Sequence, residues 1–69
     1  MKSIQDYESA YQECDRNQAD PERTHGTYDE LLQDIMTGIE QDTYTIDEAK
    51  ERIKIIRKID ALNLTFWYA

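Results

Sequence analysis

Thr45-Ile46-Asp47-Glu48-Ala49-Lys50-Glu51-Arg52-Ile53-Lys54-Ile55-Ile56-Arg57-Lys58-Ile59-Asp60-Ala61-Leu62 is the stretch on which the fold class turns. It opens with a Thr followed three residues later by a Glu. That spacing lets the hydroxyl accept from the N3 amide while the acid reaches back to the cap amide. Asp47 and Glu48 stand in the first turn, and Arg57 and Lys58 near the end, as the macrodipole favours. The stretch predicts a helix over 46–62. At about 100° per residue its apolar positions fall into two groups. Ile46, Ala49, Ile53 and Ile56 form one face. Ile55, Ile59 and Leu62 form another on roughly the opposite side. A helix apolar on two sides is buried on two sides, so the second group needs a further partner, either the tail folding back or another copy of the chain, and it is expected to serve self-association.

Working outward, the same cap pattern recurs at Thr27…Glu30 and Ser3…Asp6. The first predicts a helix over 28–41, with Tyr28, Leu31, Leu32, Ile35, Met36 and Ile39 on one broad face. Gly38 lies inside that face, at a cost of up to about 1 kcal/mol relative to Ala, so either the helix ends near there or another backbone packs close by; Ile39 completes the stripe and favours continuation. Ser3…Asp6 predicts a helix over 4–18, whose stripe is Ile4, Tyr7, Tyr11 and Cys14. Asp20-Pro21 disfavours helix at Asp20 and marks its stop. Pro21 opens at most a short turn, with Asp20 as its cap, inside a polar connector.

Two glycines and one proline in 69 residues leave little room for hairpins, and period-2 alternation is missing apart from the last few residues. The expected fold is therefore all-α and one domain over 1–69. It is a small three-helix bundle, or a helical hairpin with an N-terminal helical arm, and dimeric. The expected core is Ile4, Tyr7, Tyr11, Leu31, Leu32, Ile35, Ile39, Ala49, Ile53 and Ile56. The tail, residues 63–69, carries Phe66, Trp67 and Tyr68 in a row. Chains this short bury only about 60% of their unfolded surface, so an added interface is the expected aid to stability.

Charge is distributed unevenly. Residues 1–49 hold thirteen acids against three bases, a balance of −10, and residues 50–69 hold five bases against two acids, a balance of +3, which together give the net charge of −7. An acidic body repels nucleic acid and anionic membrane and attracts basic protein surfaces. No apolar run reaches the roughly 18 residues of a membrane span, nor does the N-terminus resemble a signal peptide, so the expected location is cytoplasmic.

Catalytic and metal chemistry find little support. The single histidine, His25, has no cysteine pair or zinc-like spacing around it. Between Asp15 and Gly26 a calcium loop fails, because Ala19, Asp20 and Gly26 stand where a ligand, a glycine and a glutamate are required. Cys14, late in its helix and among acids, has nothing to lower its thiol pKa. No cofactor, metal site or enzymatic activity is expected.

What remains is binding. The expected function is a small acidic, non-enzymatic module that docks on another macromolecule and modulates or inhibits it. An inhibitor of the phage or mobile-element type, whose helix carboxylates stand in for nucleic-acid phosphates, is one form of this. The contact residues expected are Asp6, Glu8, Glu13, Asp15 and Asp34 on the helices, with Phe66, Trp67 and Tyr68 in the tail. Two other readings use the same features. One is a dimeric transcriptional or toxin–antitoxin regulator placing the basic helix 46–62 on DNA. The other is a structural subunit of a complex.

Overall fold

The computed structural model describes residues 2–62. Three helices follow one another, α1 (Ile4–Arg16), α2 (Pro21–Glu40) and α3 (Ile46–Asp60). Each packs on both of the others. The principal extents are 35 × 19 × 16 Å, about two helix diameters across, so the chain is a bundle and not a hairpin with a free arm.

Capping boxes fix two of the three starts. Ser3 and Thr45 each accept from the N3 amide, while Asp6 and Glu48 accept from the cap amides, completing capping boxes. The third expected box, at Thr27, does not form. α2 begins two turns earlier, with Asp20 as its cap and Pro21 in its first turn. The Thr27 hydroxyl instead donates back to the Arg23 carbonyl at 3.1 Å. The spacing is correct, but a cap exists only where the chain enters the helix, and Asp20-Pro21 supplies an earlier entry.

α2 ends at Gly38-Ile39-Glu40, and the following turn places Asp42 at φ 55°, a left-handed conformation that Asp tolerates better than most residues. The amides of Thr43 and Tyr44 donate to the Gly38 carbonyl at 2.8 and 3.3 Å. This turn lays the Tyr44 ring on Gly38, where a Cβ would overlap it. The packing expected at Gly38 is thus a side chain, not another backbone.

The core joins Tyr7 and Cys14 of α1, Tyr28, Leu31 and Ile35 of α2, and Ala49, Ile55, Ile56 and Ile59 of α3, with Tyr44 from the loop. Ile4, Tyr11 and Leu32 pack against it and are half-buried. Two expected core residues lie outside it: Ile39 is 53% exposed and Ile53 39%. Conversely, Ile55 and Ile59, expected to serve self-association, are 4% and 0% exposed within the single chain, and Leu62 is half-buried against the core.

Arg52 is the reason for the exchange. It is buried, at 6% exposure, on α3. Counted as polar, it splits the helix into two apolar groups. Counted as core, it sits at the middle of one arc of about 120° running Ile55, Ile59, Arg52, Ile56, Ala49. Ile46 and Ile53 then fall beyond one edge of that arc.

Tyrosine–carboxylate contacts clamp both ends of the bundle. The Tyr28 hydroxyl donates to Asp60 at 2.7 Å, joining α2, two turns from its start, to the end of α3. At the other end Asp34 accepts from the hydroxyls of Tyr7, at 2.7 Å, and Tyr44. The Lys2 amide donates to the same carboxylate at 3.2 Å. The Lys2 carbonyl accepts from the Arg52 guanidinium, whose Nη2 is 3.2 Å away. Arg52 lies over the ring of Tyr44 at 4.3 Å and that of Tyr7 at 5.6 Å.

Candidate functional site

A three-helix bundle has three outer seams, and their chemistry here differs. The seam between α1 and α2 is lined by Asp6, Ser9, Ala10 and Glu13 from α1 and by Thr27, Glu30 and Leu31 from α2, with Lys2 at one end. The seam between α1 and α3 is mixed, with Glu8 and Glu51 beside Lys54 and Lys58 around Ile4 and Ile55. The seam between α2 and α3 is apolar, with Ile39, Ile46, Ala49 and Ile53 beside Tyr44, Asp42 and Lys50.

The expected acidic contacts divide along these lines. Asp6 and Glu13, seven residues apart on α1, share the first seam and face Glu30 across it. Asp34 continues that side of α2, beside Asp29, Glu30 and Gln33. Glu8 faces the bases of α3 instead. Asp15 stays at the end of α1, where it accepts from Gln18 at 2.9 Å. Glu30 was not among the expected contacts, although its place on the polar flank of the α2 stripe was readable. Phe66, Trp67 and Tyr68 lie outside the described residues.

The carboxylates of the first seam are held in different ways. Asp6 is exposed, and hydrogen bonds from the Ser3 amide and hydroxyl hold its carboxyl below the ordinary range. Glu13 is half-buried and paired with Arg23 at 2.9 Å. Glu30 is exposed and stands 3.9 Å from the Lys2 ammonium, a loose pair of little energetic weight. Asp34 is the most committed. Burial would raise its pKa, but the hydrogen bonds from Tyr44, Tyr7 and the Lys2 amide outweigh that and hold it low. Its charge is therefore retained, while its oxygens are occupied by the fold.

The basic face of α3 is smaller than the sequence implies. Lys50, Lys54, Arg57 and Lys58 are exposed, but Arg52 is spent inside the bundle. Lys58 also lies over the Tyr11 ring at 4.4 Å. Cys14 is fully buried, and burial first, then Glu13, pushes its thiol pKa up, the direction opposite to nucleophilic activation. His25 is paired with Asp29 at 3.4 Å along α2. Among the described residues, no helix is long and apolar enough to cross a membrane.

Compared with known protein families, curated proteins and solved structures, the chain gives no significant match.

Proposed function

We propose that this chain is a non-enzymatic binding module that docks on a basic macromolecular surface through the seam between α1 and α2, and so modulates or blocks it. The observation that supports this reading is the gathering of Asp6, Glu13 and Glu30 along one groove, with Asp34 on its flank. Asp6 and Glu13 stand on α1, which starts in a capping box, and Glu30 and Asp34 on α2, which is capped by Asp20, so these carboxylates stand on ordered helices and little ordering entropy opposes docking. The partner chemistry is a basic groove of the kind that holds nucleic acid, with the seam carboxylates taking the places of phosphates. Such a contact is steered electrostatically and weakens as salt rises.

The test is capture of partners from a lysate of the source organism on the tagged full chain, with stepwise salt elution and mass spectrometry. Glu13→Gln together with Glu30→Gln provides the comparison. The reading expects a basic partner that elutes with salt and binds the double variant about tenfold more weakly. A partner that resists salt and binds the double variant equally well overturns it. So does a partner lost on Phe66→Ala with Trp67→Ala but retained by the seam variant.

A further inference from the structure

The seam between α2 and α3 leaves a row of large apolar side chains in solvent. Met36 is 54% exposed, Ile39 53%, Ile46 74% and Ile53 39%. Ile39, Ile46 and Ile53 line the seam together, with Met36 one turn from Ile39 on the outer side of α2, and so form a patch, not scattered surface apolars. The charges beside it say what fits. Going outward from the seam, α2 turns from Ile39 and Met36 to Asp29 and Glu40, and α3 turns from Ile46 and Ile53 to Arg57 and Lys50. One edge of the patch is therefore acidic and the other basic. Glu40, Lys50 and Arg57 are exposed and make no ion pair among the described residues.

We propose that this seam pairs with the same seam of a second copy of the chain, about a two-fold axis parallel to the helices. That axis lays α2 of one copy on α3 of the other. It sets each acidic edge against a basic edge. A two-fold axis across the helices would instead stack α2 on α2 and oppose acid to acid. The register agrees with the first arrangement. Tyr28 bonds Asp60 near one end of the pair, and Tyr44 lies on Gly38 at the other, so α2 and α3 run antiparallel. At about 1.5 Å per residue, Asp29 is then level with Arg57, and Glu40 lies within about a turn of Lys50. The two-fold axis keeps these heights, so Glu40 meets Lys50 of the second copy, and Asp29 meets its Arg57. The surface is self-complementary, as a closed two-fold dimer requires. It lies apart from the seam between α1 and α2, which stays open in the dimer.

The test is sedimentation equilibrium of the full chain over a concentration series, with circular dichroism to confirm that each variant keeps its helices. The native chain is expected to show a monomer–dimer equilibrium. Ile46→Glu is expected to weaken it by about tenfold or more, since it places a carboxylate in the dry centre. Glu40→Lys and Lys50→Glu are each expected to weaken it by about threefold or more, through two like-charge contacts per dimer. Mixing these two variants restores pairing, because both contacts are then between opposite charges. A native chain that stays monomeric up to millimolar concentration overturns the proposal. A dimer indifferent to Ile46→Glu also overturns it, as does one abolished by Phe66→Ala with Trp67→Ala alone. A mixture of the charge variants that pairs no better than either one overturns the assigned geometry.

Discussion

Arg52 joins three parts of the chain at once. It donates to the Glu48 carbonyl at 3.0 Å within α3, donates to the Lys2 carbonyl fifty residues away, and covers the Tyr44 ring. Arg52→Ala removes these contacts and leaves the half-buried Lys2 carbonyl with the Tyr44 hydroxyl as its remaining donor, a loss of about 2–4 kcal/mol. Arg52→Lys recovers only part of this, because an ammonium cannot reproduce the planar fork. Urea unfolding at neutral pH measures both. The carboxylates near this cluster also set the pH range of stability. Asp6, Asp34 and Glu48 all have folded pKa values below their ordinary ones. The stability they contribute is complete above the unfolded value of about 4 and is lost as pH falls through the folded values. Tyr28 has the opposite sign. Burial, then its bond to Asp60, pushes it up to about 12. Its contribution is complete below the unfolded value of about 10 and is lost as pH rises toward the folded one. Urea midpoints should therefore hold between about pH 5 and 9 and fall on either side, and Tyr28→Phe should soften the alkaline fall.

Within α2 the two glycines carry opposite predictions. A Cβ at Gly26 meets nothing within 4 Å, so Gly26→Ala should stabilise by about 0.5–1 kcal/mol through helix propensity alone. At Gly38 the same change drives a Cβ into the Tyr44 ring, and overpacking should cost about 1–3 kcal/mol despite the better propensity. Thermal melts of the two variants should move in opposite directions. The caps divide similarly. Thr45→Ala should cost about 1 kcal/mol, as the loss of a true N-cap does, and Thr27→Ala within about 0.5 kcal/mol. These contrasts mark how far the elements were legible. Ser3 and Thr45 are readable because their partners are three residues away and nothing earlier competes. Thr27 misleads because Asp20-Pro21 begins the helix first. Tyr44 was not legible as core at all, since it stands in a loop and only the turn through Asp42 aims it at Gly38.

Across the whole molecule, the number of helices, their order and the inward faces of α1 and most of α2 were legible, and the inward face of α3 was not. The missing piece was one buried arginine. Reading Arg52 as solvated made α3 two-faced, and so exchanged Ile55 and Ile59 with Ile46 and Ile53. The acidic contacts were half legible for a related reason. Asp6 and Glu13 flank one side of the α1 stripe, Glu8 and Asp15 the other, but only packing shows which side meets α2. With the helices placed, three seams separate three chemistries, and the acidic one carries the proposed docking. The direct test is an NMR titration of the labelled full chain with a short arginine-rich peptide at low salt, following every backbone amide. Docking through the seam between α1 and α2 predicts shifts concentrated at Asp6, Ser9, Glu13, Thr27 and Glu30 that vanish when salt is raised. Equal shifts at all exposed acids, Glu22, Glu40 and Asp47 included, or a focus at Ile46 and Ile53, would contradict it.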